Sequence, residues 1–111
     1  MLEDWFVLAA DDQDGAILPA QFTLHQNYPN PFNPATLIRF DLPTPAHVKL
    51  EVFNLLGQRV AKLVDESMKS GRHSVIWDGK NQSGEDTASG VYLYRLTAGD
   101  YTKVRRMTIL R

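Results

Sequence analysis

The sequence contains no cysteine among its 111 residues. Disulfide bridges, thiolate zinc sites and cysteine nucleophiles are therefore excluded. The chain also lacks any apolar run approaching the ~20 residues that a membrane-spanning helix needs. We expect no membrane insertion of its own.

Sequence signatures of catalysis are missing as well. There is no glycine-rich phosphate loop, no nucleophile elbow and no paired-carboxylate motif. His25, His47 and His73 lie in different segments without metal-ligand spacing, so ordinary strand or linker positions are favoured over a ligand or a pH switch. We predict that the protein is not an enzyme and uses no cofactor and no metal.

A net charge of −1 conceals an uneven distribution. Residues 1–20 carry no Lys or Arg, and their acids are Glu3, Asp4, Asp11, Asp12 and Asp14. The first two acids precede a short apolar stretch, whereas a signal peptide begins with positive charge. We interpret residues 1–23 as an acidic linker or the tail of an upstream domain, and the chain as a fragment of a longer protein.

The other end of the sequence is basic. Residues 101–111 contain no acid and four bases, Lys103, Arg105, Arg106 and Arg111. These bases could bind nucleic acid or an anionic surface, or could mark a strand edge to which a protein partner adds a strand. Because they alternate with apolar residues and do not accompany exposed aromatics, one solvated strand face is favoured and nucleic acid is not expected.

A proline-rich segment, Asn27–Pro34, separates the two regions. Pro29, Pro31 and Pro34 exclude a helix, because each lacks an N–H and fixes its own φ. The residues before them are held in extended geometry too. Apolar residues then alternate with other side chains from Thr36 to Leu42, which predicts a half-buried strand and the start of a β domain.

The rest of the chain continues as short strands separated by turns. A seventh, N-terminal strand could include Phe22 and Leu24, and residues 65–71 are expected to form a connection with room for a helical turn. Strands are predicted over 36–42, 47–54, 58–64, 72–77, 90–98 and 101–110. This spacing of roughly ten residues is typical of an immunoglobulin-like β-sandwich. We therefore predict an all-β fold, an antiparallel sandwich of about seven strands.

The longest predicted loop, residues 78–90, has two interpretations. It carries oxygen-bearing side chains that could wrap Ca²⁺, namely Asp78, Asn81, Ser83, Glu85 and Asp86. An EF-hand loop requires an oxygen ligand at its third position, however, and counting from Asp78 that position is Lys80. A turn-rich loop whose Asp and Asn side chains bond their own backbone is favoured.

Aromatic residues also allow two interpretations. Tyr92 and Tyr94 point to the same side of one strand and could form a sugar-binding platform. Packing in the core is favoured for both, and also for Trp77, which ends an alternating strand.

Several separated motifs, in order and without large gaps over about residues 24–111, resemble one family. They are Asn27-Tyr-Pro-Asn-Pro-Phe-Asn-Pro34 with Thr36-Leu-Ile-Arg-Phe-Asp-Leu-Pro43, Val48–Val60, Gly71, Trp77-Asp-Gly79, Ser83-Gly84, Ala88–Leu96 and Lys103–Arg111. By these motifs the sequence resembles the type A C-terminal sorting domain of the type IX (Por) secretion system. That family is similar in fold to the immunoglobulin-like domain of flagellar hook-capping proteins.

The resemblance implies a non-catalytic C-terminal secretion signal, residues 24–111, covalently linked to an upstream cargo domain. An outer-membrane translocon would read it, and the cargo would pass through the periplasm to the cell surface or medium. A sortase-like peptidase often removes such a domain, and residues 1–23 would be the natural place for cleavage.

Site residues follow from the same resemblance. Translocon recognition is assigned to the four basic residues 103, 105, 106 and 111, although the family often ends in Lys where this chain has Arg. The junction between linker and domain is assigned to Tyr28, Pro29, Pro31, Phe32 and Pro34, and we expect Tyr28 and Phe32 to pin the segment against the sandwich. The alternative hypothesis is an ancillary binding or assembly module, for carbohydrate or protein, that uses Tyr92, Tyr94 or Trp77.

Overall fold

A computed structural model describes residues 17–111. Most of the predicted linker, residues 1–16, lies outside the described residues. Every regular element of the described part is a strand, and no helix there is suited to crossing a membrane. The strands are β1 (Thr23–Leu24), β2 (Thr36–Leu42), β3 (Ala46–Phe53), β4 (Arg59–Met68), β5 (Gly71–Trp77), β6 (Gly90–Ala98) and β7 (Tyr101–Ile109).

The strands form two antiparallel sheets. The small sheet has the order β1-β2-β5, and the large sheet has the order β4-β3-β6-β7. The two inner faces enclose one core, which confirms the predicted all-β, immunoglobulin-like sandwich. Its edges are β1 and β5 in the small sheet and β4 and β7 in the large sheet.

Alternation along each strand builds the core. In β2, Ile38, Phe40 and Leu42 are fully buried while Arg39 between them is exposed. Each buried side chain of this size contributes about 1.5–3 kcal/mol relative to an exposed one. The other large apolar side chains that are fully buried come from β1 and from every long strand except β4: Leu24, Val48, Leu50, Val52, Trp77, Tyr94, Leu96, Met107 and Ile109.

Aromatic rings fill one end of this core. Trp77 is 1 % exposed and packs edge-on against Phe32 and Tyr92, with ring centroids 5.6 and 5.8 Å away. Tyr94 is completely buried. The core interpretation of these residues is correct. The alternative of a sugar platform on Tyr92 and Tyr94 is wrong, because Tyr94 is completely buried and Tyr92 is only 8 % exposed.

The β3–β4 hairpin is longer than predicted. The expected connection over 65–71 is wrong from Asp65 to Met68, because these residues continue β4. Asp65 pairs with Lys49 across the ladder, and its carboxylate lies 2.6 Å from His47 Nε2 and 3.0 Å from Lys62 Nζ. Hydrogen bonds from His47 and then Lys62 lower the pKa of Asp65 to about 2. Polar cross-strand pairs thus extend β4 beyond Val64, over residues that have no alternating apolar pattern.

The last strand, β7, has one face toward the core and one toward solvent. Met107 and Ile109 point into the core, whereas Val104 is 46 % exposed. Leu110, predicted as strand, lies one residue beyond β7 and is 55 % exposed. Among the bases of β7, Lys103 and Arg105 lie at odd positions like Met107, whereas Arg106 lies at an even position like Val104. The bases therefore do not share a single face.

Candidate functional site

The outer edge of β7 is covered by the chain's own proline-rich segment. Phe32 N donates to Thr108 O and Phe32 O accepts from Leu110 N, both at 3.0 Å. Thr108 N donates to Asn30 Oδ1 at 2.9 Å, and Gln26 Nε2 donates to Arg106 O at 2.8 Å. We call this contact, residues 26–32 against residues 106–110, the seam. Strand addition by a partner over this stretch of β7, one of the open interpretations, is excluded because its edge groups are already bonded.

A buried hydrogen-bond network holds the segment in place. Asn27 is 2 % exposed; its Nδ2 donates to Thr36 Oγ1 at 2.9 Å and its N donates to the Tyr94 hydroxyl at 2.8 Å. That hydroxyl in turn donates to His25 O at 2.7 Å. Thr36 Oγ1 and Asn27 Nδ2 both donate to Pro29 O, at 2.9 and 3.1 Å. Side chains thus replace the regular backbone ladder that a proline-rich stretch cannot make.

Burial has a further effect on the centre of this network. It raises the pKa of Tyr94 to about 12, although the hydrogen bond from Asn27 N and the charge of Arg105 act in the opposite direction. Tyr94 therefore stays a neutral donor across the physiological range.

The predicted junction residues divide into two groups. Phe32 is 2 % exposed and is the ring that pins the segment. The ring of Tyr28 does not pin the segment, since that side chain is 76 % exposed. Tyr28 contributes through its backbone, which exchanges two hydrogen bonds with Leu37 at 3.0 and 2.8 Å. Pro29, Pro31 and Pro34 lie on the surface.

Arg111 is tied into the 78–90 loop. Its Nη2 donates to Gly79 O at 2.6 Å and its Nε donates to Thr87 O at 2.5 Å, while its backbone N donates to Ser89 Oγ at 2.8 Å. Lys80, and to a lesser extent Arg111, lower the pKa of Asp86. The guanidinium is a structural cross-link between the end of the sequence and the loop.

The Trp77-Asp-Gly79 motif has a steric explanation at the same place. Gly79 has a φ of +76°, and a Cβ there would lie 2.8 Å from Pro34 O and 2.9 Å from both Arg111 Nη2 and Ile109 Cδ1. Only glycine fits such a position. Gly79 thus allows the 78–90 loop, the proline-rich segment and the end of β7 to meet.

The 78–90 loop bonds its own backbone. Asn81 Oδ1 accepts from Ser83 N and Glu85 N, both at 2.9 Å, and Asp78 Oδ1 accepts from Lys80 N at 3.0 Å. Residues 17–111 contain no group of three or more His, Asp or Glu side chains that could hold a metal ion. The loop is therefore rich in turns, and its Asp and Asn side chains take the place of backbone acceptors in those turns.

The four basic residues are not brought together. Arg105 Nε donates to Leu24 O at 2.5 Å, so Arg105 joins β7 to β1, while Arg111 joins the loop. Lys103 and Arg106 are exposed, and their odd and even positions place them on opposite faces of the strand. Only Lys103 and Arg106 are thus presented to a partner, one on each side of the edge.

One charged cluster was missed from the sequence. Glu51 lies on the outer face of the large sheet yet is only 4 % exposed. Arg95 Nη2 and Arg59 Nη1 donate to its two oxygens at 3.0 and 3.1 Å, and the Arg95 guanidinium lies 4.7 Å from the Phe53 ring centroid. Burial opposes ionisation of Glu51, but the hydrogen bonds from Arg95 and then Arg59 outweigh it and lower the pKa of the carboxyl. Glu51 alternates with the apolar residues of β3, a pattern typical of a solvated position, but the two arginines from neighbouring strands cover it.

The fold and the seam together define a class: an immunoglobulin-like sandwich closed by its own proline-rich segment. The sequence profile of the FlgD Ig-like domain matches residues 30–102, which are 73 of the 111 residues. The chain therefore belongs to the FlgD Ig-like domain family. No curated protein matches its sequence.

Solved structures show the same fold. Latent dimeric PorU from Porphyromonas gingivalis is similar with a TM-score of 0.66 and 18 % identity, over 85 % of this chain and 10 % of PorU. PorZ of the same organism, described as an essential surface component of the type IX secretion system, gives 0.55 and 20 %, over 79 % of this chain and 11 % of PorZ. FlgD from P. aeruginosa gives 0.54 and 23 %, over 67 % of this chain and 58 % of FlgD. The chain thus spans about a tenth of the length of PorU and PorZ.

Proposed function

We propose that this domain is a non-catalytic C-terminal sorting signal of the type IX secretion system, which directs a covalently linked cargo across the outer membrane to the surface or medium. The observation that carries the proposal is the seam. The proline-rich motif and the basic end, the two ends of the resemblance to sorting domains, form one bonded unit through Phe32 and Thr108. The likeness in fold to PorU and PorZ supports the same assignment.

In this proposal the translocon reads a folded edge. Lys103 and Arg106 project from β7 on opposite faces and supply the charge that a partner would contact. Arg105 and Arg111 act indirectly, because their guanidinium groups hold β7 against β1 and the 78–90 loop. Of the four residues assigned to translocon recognition, Lys103 and Arg106 would thus contact the translocon, and Arg105 and Arg111 would hold the strand in position.

Cleavage by a sortase-like peptidase would fall before the packed part of the domain. Phe22 stacks on Tyr101 with ring centroids 5.4 Å apart, whereas Ile17 is 84 % exposed and Ala20 and Gln21 are exposed as well. A protease needs an exposed and locally open backbone. Of the described residues before Phe22, all but the buried Pro19 are exposed, in agreement with a linker over residues 1–23.

The experiment fuses the chain behind a reporter in a bacterium that has the secretion system. We expect the reporter to reach the surface or medium, and the double variant Lys103→Gln, Arg106→Gln to accumulate it in the periplasm. Lys49→Gln with Lys69→Gln removes the same charge from exposed positions outside β7 and is the matched control. Equal export of both double variants would refute recognition by β7, and a reporter that stays in the periplasm with the unchanged domain would refute sorting itself.

The alternative, an ancillary carbohydrate or protein-binding module, retains one observation. A cleft of about 510 Å³ between the β3–β4 turn and the 78–90 loop is lined by amide and hydroxyl groups, including Asn54, Gln58 and Gln82. Such groups suit sugar hydroxyls. Polysaccharide binding by the protein that is lost in Gln58→Ala but kept in Gln21→Ala would favour this function over sorting.

A further inference from the structure

The outer face of the small sheet carries two neighbouring depressions. Three cross-strand pairs of β2 and β5 line up along it: Leu37 with Ile76, Arg39 with Ser74, and Asp41 with Arg72. The face is therefore apolar at one end and charged at the other. Tyr28 and Pro29, on the other side of the seam's proline-rich segment, border the apolar depression, whereas the charged depression shares no residue with the seam.

The charged end is a basic cleft of about 300 Å³. It is lined by Arg39, Arg72, Ser74, His25, His73 and a single acid, Asp41. Asp41 Oδ2 already lies 3.0 Å from His25 Nε2. Within residues 17–111, no ion pair joins Arg39 or Arg72 to a carboxylate. Two guanidinium groups with donors to spare are suited to binding carboxylates.

The other end is an apolar groove of about 290 Å³. Tyr28 and Ile76, which border it with Leu37, are 76 % and 68 % exposed. Exposed apolar side chains that cluster around a groove are suited to contact with another apolar segment. Such an occupant must carry apolar side chains at this end and carboxylates at the basic cleft.

The chain itself contains such a segment immediately upstream. Arg72 Nη1 donates to Ile17 O at 3.3 Å, so the backbone reaches residue 17 beside the basic cleft. Before Ile17 the sequence carries three carboxylates, at Asp14, Asp12 and Asp11, and further upstream the apolar run Trp5-Phe-Val-Leu8. The order along the sequence, apolar and then acidic, matches the order along the face.

Chain length allows the match. The face from Arg72 to Ile76 measures about 13 Å at ~3.3 Å per strand residue. Residues 8–14 span up to about 20 Å when extended. A tethered segment also acts at an effective concentration in the ~mM range, so modest contacts suffice to hold it.

We propose that residues 5–14 of this chain, which lie outside the described residues, bind along the outer face of the small sheet. Asp11, Asp12 and Asp14 bind the guanidinium groups of Arg39 and Arg72, and Trp5 to Leu8 fill the groove formed by Tyr28, Leu37 and Ile76. Proteolysis between this segment and Ile17 would uncover both depressions at once. The face is thus an interaction surface whose occupant is the upstream segment.

The absence of cysteine makes a direct test possible, because Ala9→Cys introduces a single thiol for a paramagnetic label. In amide spectra of the whole labelled chain, we expect loss of the Leu37 and Ile76 signals and retention of those of Val104 and Leu56. Arg39→Gln with Arg72→Gln should restore the lost signals. The matched control, Lys103→Gln with Arg106→Gln, removes the same charge elsewhere and should leave them lost.

Salt and mixing experiments complete the test. Because the Debye length is only about 3 Å at ~1 M salt, high salt should weaken the contact with the basic cleft and restore part of the Leu37 signal. No signal loss at Leu37 and Ile76, or equal loss at Val104, would overturn the proposal. Signal loss in isotope-labelled chains mixed with paramagnetically labelled ones would assign the face to a second copy and would also overturn it.

Discussion

Phe32 and Ile109 form a parallel bridge, which makes the proline-rich segment the outermost partner of the last strand. An edge strand normally exposes unpaired backbone groups that invite association with other chains. Here Thr108 O accepts a hydrogen bond from Phe32 N, and Leu110 N donates one to Phe32 O, both at 3.0 Å. The seam therefore closes an edge and joins the two ends of the domain, so changes at one end are expected to affect the other.

Phe32→Ala should destabilise the domain by about 3–5 kcal/mol, because the ring is 2 % exposed and its loss leaves a cavity beside Trp77. Tyr28→Ala is the control from the same segment. Its ring is 76 % exposed, so its loss should change stability by no more than about 0.5 kcal/mol. Urea unfolding measures both free energies. Similar losses in the two variants would contradict the assignment of Phe32 as the pin.

Gly79→Ala should be more destabilising than Gly84→Ala. Both glycines have similar positive φ values, +76° and +83°, so the backbone strain of about 1–2 kcal/mol is common to the two variants. A Cβ at Gly84 meets nothing within 4 Å, whereas one at Gly79 meets Pro34 O at 2.8 Å. Overpacking adds about 1–3 kcal/mol at Gly79 alone. Thermal unfolding of the pair checks this, and equal shifts would argue against the close approach.

Arg111→Lys should loosen the 78–90 loop without unfolding the sandwich. A guanidinium donates in two directions at once, to Gly79 O and Thr87 O, which a single ammonium on a flexible stem does less well. Loss of one such charged hydrogen bond costs about 1.5–3 kcal/mol. Hydrogen exchange at Thr87 N should accelerate, and Lys103→Gln should leave it unchanged. An unaltered exchange rate in Arg111→Lys would show that the loop is held by its own turns.

The fold was largely predictable because short-range sequence patterns determine most of its strands and turns. Alternation in β2 buries Ile38, Phe40 and Leu42 as expected, and the turn-forming side chains of the 78–90 loop act on their nearest neighbours. Such features depend on contacts within a few residues or on the two-residue period of a strand. They need no knowledge of what packs across the domain.

The site was less predictable because its contacts join distant residues. Tyr28 and Phe32 are both aromatic residues beside prolines, and the buried one is the ring that contacts Trp77, 45 residues further along the chain. Likewise Arg111 resembles Lys103 in the sequence, yet it becomes a cross-link because Gly79 brings the loop within reach. Long-range packing overrides the local pattern at these positions.

The stability of the domain should fall between about pH 10 and pH 12 through Tyr94. Burial raises its pKa from 10.0 to about 12, so above pH 10 the unfolded state loses the phenol proton while the folded state keeps it. The unfolded state then binds fewer protons, and stability decreases with pH by roughly 2–3 kcal/mol over this interval. Below pH 10 both states are protonated and the contribution is constant.

Tyr94→Phe isolates this effect, because it keeps the ring and removes the ionisable hydroxyl. The variant should be less stable at neutral pH, since Asn27 N and His25 O lose their partner at 2.8 and 2.7 Å. Above about pH 10 its stability should fall less steeply than that of the unchanged protein, so the difference between the two narrows. Urea unfolding at several pH values gives both curves. Parallel curves would mean that Tyr94 titrates normally, and that its hydroxyl is not enclosed by the network that holds the proline-rich segment.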